Sequence, residues 1–570
     1  MPIPLSLLIL LAPALGALAL CAVRQERVAF VRRIAVAATG VSLLASGWAA
    51  ATYDLTKGGY QHETVIPWIR SLGIGLHLGV DGISLTLVLL HSLCAFTGVL
   101  ISYAIKERVK EYYIFYLTLI TGVFGVFLSL DLFFFYFFYE MAVIPMYPLI
   151  GIWGSDVTER GVVRFSKEYA TMKLTVYLTL GAVVALIGLL WLYVASGAGT
   201  FDLPALQSHL AARPLSASRQ WAIFPLLAIG FGVIAPMWPL HSWSPIGHAA
   251  APSAVSMLHA GVLMKLGSYA IIRLAIGLLP EGARTWLPWL AALCVMNILY
   301  GGFVAMAQKD LKLIIGYSSS SHMGYVLLGI ACLTPLALNG AVFLMFAHGL
   351  MTALAFALVG HIYDRTHTRY LPDLGGLAHQ VPFIATCGVM AAMASSGLPG
   401  FGNFVAELLI FIGGWDRYPV QIACGVFGVV ITAVYMLRFV RGTFFGAPKS
   451  GFAHVQDAAT PFARLPYVIL ISVLLAVGCW PQPLLRLIDT GSRPFVERVV
   501  QAAGPGRVVS RGTARRAPPW HAFARLQGLA RPSLRSGHRG RSPLQTSRST
   551  STLPPAANIR RRPTQLASSP

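Results

Sequence analysis

The stretch that decides the fold lies at residues 259–269 and reads HAGVLMKLGSY. It sits inside an apolar block, residues 254–278, which is about as long as the roughly 20 residues that an α-helix needs to cross a bilayer. Similar blocks recur along most of the chain, of which 56% is hydrophobic and only 11% charged. A soluble domain could not build a charged surface from this composition. The chain is therefore predicted to be an all-α polytopic membrane protein.

Fourteen such blocks are predicted to be membrane helices, called spans 1 to 14 in chain order. No basic region precedes span 1, which favours a membrane helix over the alternative of a cleaved signal peptide. The two longest loops, 53–80 and 196–220, leave no room for a soluble domain. The predicted spans are 4–22, 33–52, 83–103, 112–129, 132–152, 170–195, 221–243, 254–278, 286–306, 311–333, 338–362, 382–413, 420–441 and 464–486.

Basic residues mark one side of the membrane. They concentrate in the loops that follow odd-numbered spans, such as Lys106 after span 3, Arg164 after span 5, Lys312 after span 9 and Arg369 after span 11. By the positive-inside rule these loops are predicted to face the cytoplasm. An even number of spans then places both termini outside.

The C-terminal region has a different character. From residue 505 onward there are thirteen arginines, no lysine and no acidic residue, among many Ser, Pro and Gly. Such a segment buries too little apolar surface to fold, so residues 496–570 are predicted to form a basic disordered tail. Two origins stay open: a frameshifted, unconstrained extension or a functional tail. Because the tail is predicted to lie outside, nucleic acid is not expected as a partner.

The chain shows no sequence sign of a cofactor or metal site. Its seven cysteines lie in apolar stretches without the clustered spacing of zinc or iron–sulfur ligands. There is neither a phosphate-binding loop motif nor a dinucleotide-binding fingerprint. No nucleotide, metal or redox centre is therefore predicted in this chain.

Five of the ionisable side chains within the predicted spans are candidates for function. A charge at membrane depth costs roughly 2.5–3.5 kcal/mol or more unless it is paired or hydrated, so such a residue is a functional candidate. Lysine removed from water and histidine both exchange protons near neutral pH, which predicts a proton relay. The five are Glu140 in span 5, Lys265 in span 8, His322 in span 10, His348 in span 11 and Glu407 in span 12.

Each of the five also has a purely structural alternative. Glu140 has no local partner in its apolar run, so the alternative is a buried ion pair with another helix. For Lys265 it is a side chain that reaches the interface, although the residue lies mid-span. For His322 and His348 it is a satisfied core position, although the four serines before His322 favour a hydrated relay. For Glu407 it is a helix-terminal carboxylate at the interface.

Two spans contain helix breakers. Pro236 and Pro239 lie in span 7, and Pro399 and Gly400 lie in span 12. Irregular backbone at membrane depth is tolerated where it meets protein or lines a wet cavity, and a matched pair of broken helices is typical of inverted repeats with an ion path between them. The predicted domains are 1–110 (spans 1–3), 111–280 (first inverted repeat, spans 4–8), 281–445 (second inverted repeat, spans 9–13), 446–495 (span 14) and 496–570 (tail).

Five stretches carry a family resemblance. They are LGIGLHLGVDGISL at 72–85, PMWPLHSW from Pro236, HAGVLMKLGSY from His259, DLKLIIGYSSSSHMGYV from Asp310 and GLPGFGNFVAELLIF from Gly397. Together they resemble the subunit M (chain 4) family of NADH–quinone oxidoreductase, complex I. The wider superfamily includes multisubunit cation/proton antiporters and hydrogenase membrane arms, and the first stretch favours subunit M.

The resemblance implies an antiporter-like, proton-translocating subunit in the plasma membrane of a bacterium, with fourteen helices and two inverted five-helix repeats. It implies that flavin, iron–sulfur clusters and quinone belong to partner subunits of the enzyme, where quinone reduction drives pumping. The partners implied are the other membrane-arm subunits. By motif, Glu140 resembles the span 5 glutamate, Lys265 the central lysine, His322 and His348 the histidines leading outward, and Glu407 the outlet residue.

One position departs from the family pattern. Two residues before the proline of PMWP, where the family usually has a lysine, this chain has Ile234. The usual pair of that lysine with Glu140 is therefore absent, and the later PDAH motif reads Pro-Ile-Gly-His at 245–248. We predict that the relay through Lys265 persists but is weakly gated or uncoupled at span 7. The alternatives are a subunit of an antiporter, coupled to sodium or protons, or of a hydrogenase membrane arm, and a non-conducting structural spacer.

Overall fold

The computed structural model describes residues 4–159, 161–452 and 454–502. Within these residues, twelve helices are long and apolar enough to cross a membrane, which confirms the all-α polytopic fold. They are Leu5–Ala22, Val28–Thr52, Gly82–Ala104, Val109–Leu128, Leu132–Trp153, Lys167–Ser196, Ala217–Ile234, Ser253–Ile276, Pro280–Ala307, Pro335–Thr366, Pro419–Phe444 and Pro461–Cys479.

The two other predicted spans differ in kind from these twelve. Span 10 is a continuous, almost wholly buried helix, Leu311–Cys332, made less apolar by its serines, histidine and lysine. Span 12 is divided into Pro382–Ser395 and Gly402–Gly414, with Gly397 and Gly400 at positive φ between them. The break predicted in span 12 is confirmed. The count of fourteen spans and the inverted relation of the two repeats stay predictions.

Span 7 is also broken where its prolines lie. Its first helix ends at Ile234, and a second short helix, Trp243–Ala250, follows after an irregular segment. The side chain of Asn297 accepts a hydrogen bond from the backbone N–H of Trp238 and donates to Pro236 O at 2.9 Å. These bonds satisfy backbone groups that the missing helix turn leaves free, as burial at membrane depth requires.

Spans 8 and 11 form the buried centre of the helix bundle, since their apolar segments are wholly covered by other parts of the chain. Span 8 includes two π-helical segments, His259–Leu263 and Ile271–Ile276. Between them Gly267 packs directly on the end of the first helix of span 7. A Cβ atom on Gly267 would lie 2.2 Å from the backbone oxygen of Phe231, so this contact requires glycine.

The long loop 53–80 folds into an antiparallel hairpin, with strands Gln61–Ile69 and Ile74–Val80. The loop 196–220 contains a helix, Leu203–Ala212. His77 joins the two regions, because its ring nitrogens lie 2.5 Å from Asp202 Oδ2 and 3.1 Å from Glu63 Oε2. The hydrogen bond to Asp202 is the main reason that the pKa of His77 lies above its ordinary value of 6.5.

The ends of the odd-numbered spans predicted to face the cytoplasm meet in a network around Arg369. Its Nε donates to Asp310 Oδ2 at 2.7 Å, and its other nitrogens donate to Ala249 O at 2.7 Å and Asp156 O at 2.8 Å. A short hairpin, Val157–Glu159 with Val162–Phe165, lies at the same end of the bundle. We call this end the basic end.

Two residues interpreted as loop residues of the basic end are in fact buried. Arg369 is only 3% exposed because its guanidinium is enclosed by the acceptors just described. Lys312 is only 2% exposed because it lies in the first turn of the helix Leu311–Cys332, which Asp310 caps by accepting the N–H of Lys312 at 2.8 Å. Arg369 does lie in a loop and Lys312 lies in a helix, but neither side chain faces solvent.

The C-terminal boundaries also need correction. Span 14 ends at Cys479, before Pro481, which cannot continue the helix hydrogen bonding. A separate amphipathic helix, Gln482–Ala502, follows and buries Leu487, Ile488 and Phe495 against the bundle. The predicted span 464–486 was therefore too long, and residues 496–502 belong to this helix instead of the tail. The rest of the predicted tail, residues 503–570, lies outside the described residues.

Candidate proton relay site

Lys265 stands at the centre of the bundle and is completely buried. Its Nζ lies 2.9 Å from His348 Nδ1 and donates to the backbone oxygen of Ala260 at 2.5 Å. Span 8 therefore supplies the lysine and span 11 its histidine partner. This buried position, far from either end of its helix, removes the alternative in which the lysine reaches the membrane interface.

His348 leads from Lys265 to a second histidine. Its ring is stacked on that of His322, with 4.9 Å between the ring centroids. The other ring nitrogen of His348, Nε2, lies 3.4 Å from the hydroxyl oxygen of Ser319. Both histidines are fully buried. The serine run of span 10 thus lines the passage between the two imidazoles with hydroxyl groups.

His322 in turn lies beside Glu407. The distance from His322 Nε2 to Glu407 Oε1 is 3.9 Å, and the same nitrogen lies 3.2 Å from the backbone oxygen of Ser395. Ser395 ends the first helix of the broken span 12, while Glu407 belongs to the second. The break therefore lets one helix present a free carbonyl and the other a carboxylate to the same imidazole.

Polar groups surround the Glu407 end of this chain of residues. The phenol of Tyr435 donates to Ser318 Oγ at 2.8 Å, and His322 Nδ1 lies 2.8 Å from Ser318 O. Asn403, one helical turn before Glu407, is completely buried, and neither its side-chain oxygen nor its nitrogen has a hydrogen-bond partner among the described residues. Buried amides normally have partners, so this side of the site is suited to hold water.

Glu140 makes none of these contacts. It is half-buried, and the hydrogen bond that the structure shows for it comes from the phenol of Tyr136, one turn earlier on the same helix, at 2.8 Å. The interpretation that Glu140 has no local partner was wrong, because residues four apart lie on one helix face.

Ile234 is completely buried, and its Cγ2 lies 2.6 Å from where a Cβ on Gly267 would be.

The structure adds two histidines to the predicted set. His248 and His259 are fully buried, with 4.2 Å between their ring centroids. In the sequence, His248 belongs to the altered Pro-Ile-Gly-His stretch at 245–248, and His259 begins the stretch HAGVLMKLGSY; neither was predicted as a site residue. The available signal was the position of His259 in the apolar sequence six residues before Lys265, on the same helix.

The arrangement joins four ionisable side chains from spans 8, 10, 11 and 12 into one buried line: Lys265, His348, His322 and Glu407. Lysine, imidazole and carboxylate can each take up and release a proton, and the distances between them are those of direct contact or of a single bridging water. The fold and this site define a polytopic membrane protein with a line of buried ionisable side chains between its helices.

Comparison with known proteins agrees with this description. The family model for the transmembrane region of NADH:quinone oxidoreductase and Mrp antiporters matches residues 129–432. NADH-quinone oxidoreductase subunit M of Pseudomonas aeruginosa is 36% identical over 484 residues, covering 83% of this chain and 93% of the relative. The Escherichia coli K12 subunit M is 36% identical over 491 residues, covering 84% and 94%.

Solved structures give the same result. Respiratory complex I from Thermus thermophilus contains a similar chain with a TM-score of 0.78 and 29% identity, covering 88% of this chain and all of that one. The Mrp complex of a Dietzia species shares the fold, with a TM-score of 0.75 at 23% identity. This chain therefore belongs to the family of antiporter-like membrane subunits of NADH:quinone oxidoreductase and Mrp complexes.

Proposed function

We propose that this chain is the proton-translocating subunit M of a membrane NADH–quinone oxidoreductase. Protons pass along Lys265, His348, His322 and Glu407 and the water between them, and quinone reduction in partner subunits supplies the energy. The flavin, iron–sulfur clusters and quinone belong to those partners. The single observation that carries this proposal is the contact of Lys265 Nζ with His348 Nδ1 at 2.9 Å, continued by the stacked histidines towards Glu407.

The relay works because each group is removed from bulk water but not isolated from the next. A buried ammonium is unfavourable without a partner, so a proton on Lys265 is readily passed to an acceptor at hydrogen-bond distance. His348 accepts at Nδ1 while its Nε2 faces the Ser319 hydroxyl, so the ring can be protonated on one side and deprotonated on the other. The same logic applies to His322 between Ser318 and Glu407.

A second function, a non-conducting spacer, is favoured by one observation. Ile234 fills the position of the family's lysine and is fully buried against Gly267, so the first half of the chain offers no ion pair at that point. A spacer would support assembly and electron transfer but move no protons. The preserved contacts from Lys265 to Glu407 favour the conducting function, because a spacer has no need for four buried ionisable side chains.

The test is the ratio of protons moved to electron pairs transferred, measured in proteoliposomes that contain the purified complex. Lys265→Met is expected to lower this ratio, because methionine cannot carry a proton. The matched control is Lys173→Met, since Lys173 also lies in a membrane helix but contacts the rings of Tyr169 and Tyr177 instead of the relay.

An unchanged ratio in Lys265→Met would show that the chain is a spacer. Dissipation of a sodium gradient by the complex without electron transfer would instead identify an antiporter subunit. Either result would overturn the proposed function.

A further inference from the structure

A cavity of about 400 Å³ lies at the basic end of the bundle. Its lining extends from exposed residues, including Ala104 and Asp364, to the buried side chain of Lys312. Seven segments of the chain contribute to its walls, among them the ends of spans 3 and 11 and the start of span 8. The cavity therefore joins the surface of the protein to a lysine that is only 2% exposed.

Lys312 points from this cavity towards the junction of spans 7 and 8. Its Nζ donates to the backbone oxygen of Ala251 at 2.6 Å. Ala251 lies between the second helix of span 7, Trp243–Ala250, and the helix that begins at Ser253. The Lys312 ammonium thus contacts a segment of irregular backbone. Membrane proteins tolerate such segments where they are buried in protein or line a wet cavity.

Polar groups continue from Ala251 into the bundle. The hydroxyl of Ser256 lies 3.3 Å from Ala251 O and 2.9 Å from His248 O, so it can donate to either. The ring of His248 lies beside that of His259, and His248 Nε2 is 3.0 Å from Ser244 Oγ. Lys312, Ser256 and the two histidines are all buried.

The two histidines have unused hydrogen-bonding atoms. His248 Nδ1 and both ring nitrogens of His259 are buried without a partner in the described part of the chain. A buried ring nitrogen normally has a partner, and a polar site of this kind is where a buried water is held. The histidine pair is therefore built to be bridged by water, and it is not part of the relay from Lys265 to Glu407.

The other end of this line meets the relay. Lys265 reaches back along its own helix, and its Nζ donates to the backbone oxygen of Ala260, the residue that follows His259. The π-helical segment His259–Leu263 begins at His259 and ends two residues before Lys265. The ammonium of Lys265 thus contacts His348 on one side and, on the other, the backbone of the segment that begins at His259.

We propose that protons reach Lys265 from the cavity at the basic end through Lys312 and the His248–His259 pair, a route that does not use position 234. The Lys312 ammonium passes a proton through water to a ring nitrogen of the pair and takes up another from water in the cavity. The pair then passes a proton towards Lys265. This inference rests on the proposed function, and it explains how a chain with Ile234 can still be supplied with protons.

The test compares Lys312→Arg with wild type in the same proteoliposome assay. Arginine keeps the positive charge and can donate to Ala251 O, but it holds its proton at all working pH values. We expect the ratio of protons to electron pairs to fall to the value of Lys265→Met. The matched control is Lys309→Arg, an exposed lysine three residues earlier, which is expected to behave as wild type.

A second variant distinguishes a loss of proton transfer from a loss of the structural contact between Lys312 and Ala251. Adding Ile234→Lys to Lys312→Arg is expected to raise the ratio again, because it places an exchangeable group at the position of the family's lysine. A loss that Ile234→Lys leaves unrepaired would overturn the proposal, since it would mark Lys312 as a structural tie to Ala251.

His259→Phe provides an independent measurement, because it keeps a ring of similar size beside Trp243 and removes only the nitrogens. It is expected to lower the ratio as Lys312→Arg does. If neither variant lowers the ratio while Lys265→Met does, the uptake route is wrong and the proposed function stands. If Lys265→Met also leaves the ratio unchanged, the proposed function fails with it.

Discussion

Removing the guanidinium of Arg369 is expected to destabilise the protein more than any other single change at the basic end. Arg369 holds Asp310 by an ion pair of 2.7 Å, and both side chains are almost fully buried. Its remaining nitrogens donate to Ala249 O, Asp156 O and, at 3.3 Å, Ser155 Oγ. One side chain thus joins the ends of spans 5, 7 and 10.

The expected loss of stability follows from the charge of Asp310, which stays buried when Arg369 is replaced. Arg369→Gln leaves the Asp310 carboxylate buried without a cation, and breaking a buried pair in this way costs about 3–5 kcal/mol. That is a large part of the roughly 5–15 kcal/mol by which a typical protein is stable. Arg369→Lys keeps the charge but cannot reach all four acceptors with one ammonium, so an intermediate loss is expected.

A double variant distinguishes the cost of leaving the Asp310 charge unpaired from the cost of losing the hydrogen bonds of Arg369. Asp310→Asn keeps an oxygen that can accept the N–H groups of Lys312 and Leu313, now bonded at 2.8 and 3.1 Å. Combined with Arg369→Gln it removes both charges, so its loss is expected to be smaller than the sum of the single losses by about 0.5–3 kcal/mol.

The assay is the free energy of unfolding in mixed micelles with a denaturing detergent, with Arg365→Gln as the control because Arg365 lies four residues earlier, in the last turn of the helix Pro335–Thr366, and is only half-buried. If Arg369→Gln loses no more than the roughly 0.5 kcal/mol expected of a surface change, the reasoning is refuted. Strict additivity in the double variant would equally show that the Asp310 charge is not the source of the cost.

Three further predictions follow from other contacts. Gly267→Val should destabilise the chain by about 1–3 kcal/mol or more because a side chain there overlaps backbone atoms, whereas Gly47→Val, with no atom within 4 Å, should be tolerated; unfolding of both variants tests this. Because the pKa of His77 is raised in the folded protein, the hydrogen bond of His77 to Asp202 stabilises the hairpin of strands Gln61–Ile69 and Ile74–Val80 below the ordinary histidine pKa of 6.5; this stabilisation is lost as pH rises through the higher folded value. Hydrogen exchange of residues 74–80 should therefore speed up over that rise in wild type beyond the intrinsic pH effect, and this excess should be absent in His77→Gln. Tyr136→Phe removes the hydrogen bond to Glu140, and infrared spectroscopy of the carboxyl group should report the change; an unaltered carboxyl band would contradict the contact.

The chain has Ile234 at the position where the family resemblance predicts a lysine. A lysine there would face the tight contact of span 7 with Gly267, which Ile234 now fills with apolar atoms. In the first half of the chain, Glu140 accepts a hydrogen bond from the phenol of Tyr136, where the resemblance predicts a lysine partner. If proton uptake proceeds through Lys312 and the histidine pair, the gate of this subunit lies at the junction of spans 7 and 8 near Ala251.

The sequence by itself was sufficient to predict the long apolar helices and to single out the main candidate residues. Apolar blocks of about 20 residues and the breakers Pro236 and Pro399 act locally, so they predict helices and their interruptions without knowledge of the neighbours. Likewise, Lys265 and Glu407 stand out because their charges are unfavourable at membrane depth wherever the helices pack.

Only the tertiary structure decided which of these groups meet. The contact of Lys265 with His348 joins residues 83 positions apart, and its geometry depends on how helices pack, which no local pattern contains. The same packing buried Lys312, which the sequence places at the boundary between a basic loop and span 10, and brought its ammonium to Ala251. Side-chain partners at membrane depth are set by the faces that helices turn towards each other, and that is why the buried line of four residues and the cavity behind Lys312 appear only in three dimensions.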